Sequence, residues 1–186
     1  MRIISGSFKG KKILEPNDKK TRPLKDLTKE SLFNIISHSN KFKLDIKSAI
    51  VLDLFSGVGS FGLECLSRGA NEVTFVENYP EVLKILKKNL FNLKSLKNYI
   101  IIEKDIFNDK FLFNFKKKFD IIFLDPPYKI KNLIEIFEKI QKSMILNKEG
   151  IIILHRHKNE EDNFPTNFKI LEKKQYGISK LIFISL

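Results

Sequence analysis

From residue 49 to residue 155 the chain alternates continuous apolar runs with stretches of helical spacing. The apolar runs are "AIVLDLF" (49–55), "EVTFVE" (72–77), "NYIIIEKD" (98–105), "FDIIFLD" (119–125) and "GIIILH" (150–155). They are too uniformly apolar to leave one face in water. Helical spacing falls at 60–68, ended by Gly69, at 80–93, with Pro80 in the first turn, and at 133–144. Buried strands joined by helices specify a parallel sheet covered on both faces. The tail carries two further runs, "NFKILEKKQYG" and "SKLIFISL", around Gly177. So short a link cannot cross over, so an antiparallel hairpin is expected at one edge.

The first 47 residues stand apart from this alternation. "RIISGSFKGKKIL" has two short alternating runs around Gly6 and Gly10 and reads as a β-hairpin. A polar loop, "EPNDKKTRPLK", follows, and from Asp26 the spacing becomes helical, with Asp26 or Thr28 as cap. The division expected is 1–47 as a hairpin, loop and helix, and 48–186 as the sheet domain.

Composition narrows the partner. The 186 residues include 34 Lys+Arg against 22 Asp+Glu, a net charge of +12. A folded chain this basic is suited to a polyanion, with nucleic acid ahead of an anionic membrane surface. Part of the lysine excess is a compositional bias that also favours Ile, Phe and Asn. The single cysteine, Cys65, excludes an intrachain disulfide and a multi-cysteine zinc site, and its apolar neighbours make it a core thiol. No run reaches the roughly 18 apolar residues of a membrane span, and "MRIISGSFKG" lacks a signal-peptide core, so a cytoplasmic location is expected.

In such sheets ligands bind at the carboxyl ends of the strands, where strand order reverses. The first run ends in "DLFSGVGSFGLE". Gly57 and Gly59 make a turn that brings backbone N–H groups to a ligand at the helix start. Gly62 completes the spacing of a dinucleotide fingerprint, so the turn alone leaves a nicotinamide enzyme open. Asp53 argues otherwise: it repels a pyrophosphate and attracts a sulfonium or an ammonium. Glu77, ending the second run, can accept from both hydroxyls of a ribose, or can be a solvated acid at a helix start. Asp105 is placed to accept from an adenine amine.

The fourth run stops at Asp125-Pro126-Pro127-Tyr128. Neither proline can continue a ladder. A purine's exocyclic amine is a poor nucleophile because its lone pair is delocalised, and it must pyramidalise to attack a methyl group. Two acceptors, the Asp125 carboxylate and the Pro126 carbonyl, favour that change, and the Tyr128 ring can stack on the base. The bland alternative is a Pro-Pro stop with an exposed tyrosine. The ordered series Asp53, Gly57, Gly59, Glu77 outweighs it.

On these residues the chain resembles the bacterial small-subunit ribosomal RNA guanine-N2 methyltransferases of the RsmD type. The resemblance spans nearly the whole chain. It includes "MRIISGSFKGKKI", the "RP…D…KESLFN" stretch, "LDLFSGVGSFGLECLSRGA", "VTFVE", the region of Asn89 and "FDIIFLDPPY". It implies a Rossmann-like class I methyltransferase with a seven-stranded, mostly parallel sheet, an antiparallel C-terminal strand, helices on both faces and a small N-terminal hairpin and helix. It implies S-adenosylmethionine as cofactor. Asp53, Phe55, Ser56, Gly57 and Gly59 would line its methionine part, Glu77 its ribose and Asp105 its adenine. Asp125, Pro126, Pro127 and Tyr128 would hold the target amine.

The implied partner is ribosomal RNA, within the small subunit or an assembly intermediate, met by a monomer. Arg2, Lys9, Lys11, Lys12, Arg22 and Lys25 are the candidate RNA contacts, being clustered outside the sheet. Lys116–Lys118 reads as a solvated face. No metal is expected: His155 and His157 share a strand face but are too few. The chain departs from the family pattern at Leu24, Lys25, Leu27 and His155, the last where a glutamate is usual. Rival readings are a DNA or RNA adenine-N6 methyltransferase, a nicotinamide-dependent oxidoreductase, and a non-catalytic RNA-binding module of the same fold. Against the first, a DNA enzyme must flip its base, which usually needs a recognition domain this chain has little room for.

Overall fold

The computed structural model describes residues 1–16, 24–94, 96–107, 110–127, 129–131 and 133–186. Each expected strand forms: β1 (Ile50–Leu54), β2 (Glu72–Val76), β3 (Tyr99–Ile102), β4 (Phe119–Leu124), β5 (Leu146–His157), β6 (Lys169–Tyr176) and β7 (Ser179–Ser185). They make one seven-stranded sheet in the order β3-β2-β1-β4-β5-β7-β6. The first five are mutually parallel, and β7 runs antiparallel to both β5 and β6. The last strand therefore lies inside the sheet, and β6, with its exposed lysines, forms the edge. Charged side chains of that kind discourage pairing with another chain.

Alternate residues of the central strands feed two separate cores. Val51, Val73, Phe75, Ile121, Phe123, Ile151 and Ile153 pack against helices α1 (Asp26–His38), α2 (Ser60–Ser67) and α3 (Pro80–Asn92). Leu52, Leu54, Val76, Ile122, Leu124, Ile152 and Leu154 pack against α4 (Ile134–Ser143) and the 3-10 turn at Phe111–Asn114. Burial on both faces is why these strands read as unbroken apolar runs. Strand β5 begins four residues before the expected Gly150, and its register is irregular opposite Phe119–Ile121.

The N-terminal segment forms the expected hairpin, and it packs onto the sheet domain. Its hairpin closes through a bridge from Arg2 to Lys12 that encloses glycines at positive φ (Gly6 +82°, Gly10 +83°). Ile3 and Ile13 N–H donate across it to the Lys11 and Met1 carbonyls (2.9 and 3.0 Å) and Gly10 N–H to the Ile3 carbonyl (2.9 Å), while amides between the arms turn to α2. Ile4 and Ser5 N–H donate to the Glu64 carboxylate (2.8 and 2.9 Å). Ser7 N–H donates to the Ser67 carbonyl at 2.8 Å, and Phe8 N–H to Ser67 Oγ at 3.0 Å. A Cβ on Gly6 would stand 1.8 Å from the Ser67 carbonyl, so glycine is required by contact as well as by φ. Ile3, Ile13 and Leu24 are buried in the same core as α1 and the sheet. The α1 cap differs from expectation: the N-cap is Lys25, with no side-chain capping bond, and Asp26 supplies negative charge to the first turn instead.

Candidate active site

Strand order reverses between β1 and β4, and the described residues expected to hold the cofactor and the amine sit there, at or just beyond the carboxyl ends of β1 to β4. The turn after β1 is held by its neighbours. Ser56 donates through N–H (3.0 Å) and Oγ (3.2 Å) to the Val76 carbonyl at the end of β2. Gly57 (φ +56°) donates its N–H to Glu77 Oε2 at 2.8 Å. Glu77 Oε1 accepts from the Asn78 and Tyr79 N–H groups, both at 2.9 Å. Three backbone donors thus fix the Glu77 carboxylate before any ligand arrives. Phe55 holds φ +60°, a strained conformation for a bulky residue, with its ring 6.0 Å from that of Phe107.

The three glycines have separate reasons. A Cβ on Gly57 would meet nothing within 4 Å, so its backbone faces open space that a ligand could fill. Gly59, at φ +85°, is the N-cap of α2. Gly62 lets α2 approach the sheet, since a Cβ there would lie 2.2 Å from the Phe75 ring. Gly62 therefore serves packing here, and its match to a dinucleotide fingerprint is no argument for a dinucleotide.

Asp53 is placed differently from its reading as a ligand-facing acid. It is 1% exposed, and its carboxylate accepts from Gly62 N–H at 3.1 Å. Burial pushes its carboxyl well above the usual range, the Gly62 bond opposes this, and the charges of Asp125 and Glu77 push it further. These three acids cluster around the turn. Asp105 accepts from Phe107 N–H at 2.9 Å, closing the bend after β3.

Asp125 stands one residue beyond β4, partly exposed, with Oδ1 2.8 Å from His155 Nδ1. Pro126 is buried and Pro127 exposed. The Pro127 carbonyl accepts from Ile130 N–H at 2.9 Å, so the chain turns sharply here. Tyr128 and Arg22 lie outside the described residues. His155 and His157 also part company: His155 faces Asp125, while His157 Nδ1 accepts from Asn159 N–H at 3.3 Å. Between them Arg156, fully buried, donates to Asp162 at 2.8 Å on the opposite side of the sheet.

A family described as conserved hypothetical protein 95 matches residues 1–185. The ribosomal RNA small subunit methyltransferase D of Haemophilus influenzae is 32% identical over 183 residues, covering 96% of this chain and 90% of its own. That of Escherichia coli K12 is 31% identical over 178 residues, covering 95% and 85%. The solved structure of the Escherichia coli methyltransferase yhhF superposes with a TM-score of 0.80 at 28% identity, covering 99% of this chain and 96% of that one. The chain belongs to the methyltransferase D family. Its sheet is that of the class I methyltransferases.

In this methyltransferase D fold the stretches that carried the resemblance touch one another. Ser67 and Arg68 of "SRGA" anchor the N-terminal segment: Ser67 Oγ donates to the Ser5 carbonyl at 2.5 Å, and Arg68 Nε donates to Glu64 at 2.9 Å. Lys29 of "KESLFN" is completely buried, donating to the Arg2 carbonyl at 2.7 Å and lying 3.8 Å from Glu64. Burial lowers its ammonium below the ordinary range, against the pull of Glu64 and Asp26.

Sequence reasoning gave Asn89 no role. The structure gives it one: Oδ1 accepts from Leu14 N–H (2.8 Å), and Nδ2 donates to the carbonyls of Leu14 (3.1 Å) and Val58 (3.0 Å). An asparagine on the apolar face of α3, beside Leu86 and Leu90, was the available signal.

The candidate RNA contacts among the described residues are exposed on this mount. Lys9, Lys11, Lys12 and Lys25 face solvent, and Arg2 lies 3.8 Å from Asp26. The Lys116–Lys118 run is only partly a solvated face, since Lys117 pairs with Glu72 and desolvation lowers its ammonium. Among the described residues no helix is long and apolar enough to cross a membrane.

Proposed function

We propose that this chain methylates the exocyclic N2 amine of a guanine in small-subunit ribosomal RNA, using S-adenosylmethionine. Family membership supports ribosomal RNA methylation; guanine over adenine rests on the resemblance carried by the N-terminal start and "SRGA", and attack by an exocyclic amine rests on Asp125. That carboxylate is fixed at the end of β4, beside a rigid Pro-Pro turn and next to the glycine turn. Asp125 and the Pro126 carbonyl are the two acceptors that would hold the amine's N–H groups and turn its lone pair toward the methyl carbon. Positioning and preorganised charge of this kind lower the barrier by several kcal/mol, on the order of 4 or more.

The pocket fits the cofactor. The open backbone at Gly57 leaves room for it, and Glu77 is pre-set to accept from ribose hydroxyls. Bound there, S-adenosylmethionine supplies a methyl group made electrophilic by its sulfonium. The cationic segment at Lys9, Lys11, Lys12, Arg22 and Lys25, with Arg2, is the proposed RNA contact.

The test is labelled S-adenosylmethionine with unmodified ribosomal RNA or small subunits, digestion to nucleosides, and mass identification of the product. N2-methylguanosine is expected, and N6-methyladenosine would move the reading to adenine. Asp125→Ala should lower turnover at least about a hundredfold, the scale of losing a transition-state acceptor, with cofactor affinity little changed. Glu77→Ala should weaken cofactor binding by roughly 1–3 kcal/mol, since it strands polar groups. Calorimetry that finds NAD bound and S-adenosylmethionine not bound would refute the assignment.

A further inference from the structure

We infer that His155 is a positioning residue for the methyl-transfer step, holding one oxygen of Asp125 so that the other addresses the amine. The inference rests on the role proposed above for Asp125. Its own basis is geometric. His155 lies near the carboxyl end of β5, the strand paired with β4, and its side chain is 6% exposed. Its Nδ1 is 2.8 Å from Asp125 Oδ1, a contact between residues 30 apart in sequence. A carboxylate offers only acceptors, so the proton of this bond sits on Nδ1, which fixes the tautomer and the ring plane.

The mechanical need is clear from where Asp125 stands. It has left the ladder, so the strand no longer dictates its side-chain direction, and rotation about its last torsion is broad and soft. The Pro-Pro turn fixes the backbone beyond it but makes no claim on its carboxylate. The imidazole N–H supplies that constraint and spends one oxygen doing so. The remaining oxygen is left for the substrate, paired in purpose with the Pro126 carbonyl. His155 does not touch the base or exchange a proton with it.

The test is methyl transfer to unmodified small-subunit RNA by His155→Phe, His155→Asn and His155→Gln, alone and with Asp125→Ala. His155→Phe should lower kcat by about tenfold to a hundredfold, the cost of misplacing a catalytic group by about an ångström. The KM for S-adenosylmethionine should not move. Asn can place an N–H near the position of Nδ1, whereas Gln places it near that of Nε2. His155→Asn should therefore recover at least about tenfold over His155→Phe, the lower end of that range, and His155→Gln should not. In the Asp125→Ala background His155→Phe should cost nothing further, since the two act as one unit.

If Asp125→Ala is inactive while His155→Phe keeps wild-type kcat, the positioning role is wrong and the amine-holding role stands. If Asp125→Ala is itself active, the amine-holding role fails. Should His155→Phe not fold, the contrast between Asn and Gln decides, and equal rates for those two would overturn the inference.

Discussion

At the scale of single residues, the acids of the pocket carry the chemistry, and each is restrained by a different donor. Glu77 takes three backbone N–H groups, Asp125 an imidazole, and Asp53 one amide in an otherwise apolar setting. Asp53 is the least compensated, and its carboxyl lies well above the ordinary 3.8 chiefly through burial. The sign of its linkage follows. Between 3.8 and the raised native value, the folded chain keeps a proton that the unfolded chain has released. Native stability from this group is full below that window and is lost as pH rises through it. Asp53→Asn keeps an acceptor for the Gly62 N–H without a charge. It should therefore be more stable than wild type, by a margin that widens as pH rises above 3.8 in ligand-free protein. Urea unfolding across that range measures it, and parallel curves would count against the account.

At the scale of elements, the sheet was legible and the packing of the N-terminal segment was not. Runs such as "FDIIFLD" are buried on both faces, so composition alone marks them, and Gly57 and Asp125 fall at strand ends by simple counting. By contrast, the alternation in residues 1–13 marks the hairpin that forms but not what it packs on. The distant partners of residues 1–14, Glu64, Ser67 and Asn89, are about 60 to 75 residues away in sequence. The same long range hid the Asp125–His155 bond. It also hid the burial of Lys29, whose charge suggests a surface. The segment is consequently no appendage to the cofactor turn: Asn89 bonds both Leu14 and Val58, which lies between Gly57 and Gly59. Asn89→Ala strands three buried backbone groups and should destabilise the fold by at least about 2 kcal/mol. Hydrogen exchange should quicken at the Leu14 amide, and calorimetry should find weaker cofactor binding. An unchanged exchange rate at Leu14 would show that the contact is incidental.

At the scale of the whole molecule, the net charge of +12 needs a site of action, and the mount of the N-terminal segment suggests where. Lys9 and Lys11 flank Gly10 at a turn bonded to α2, and Lys12 follows at the bridge to Arg2. They are exposed while Ile3 and Ile13 beside them are buried, so the backbone is rigid where the charges are free to meet phosphates. Removing residues 1–24 would empty part of the core and confuse binding with folding, so charge reversal is the cleaner probe. Lys9→Glu, Lys11→Glu and Lys12→Glu together lower the formal charge by two per site, from +12 to +6. The substituted side chains are exposed, so thermal stability should change little. If all three meet phosphates, the slope of log affinity against log salt should become shallower by about two to three, since each contact contributes about 0.7–0.9. RNA or subunit binding at several salt concentrations, for wild type and the triple variant, gives that slope. Cofactor affinity should stay at the wild-type value, because none of the three lines the pocket. Equal slopes and equal affinities would mean that these lysines only solvate the surface, and the RNA-contacting face would then lie on another part of the molecule.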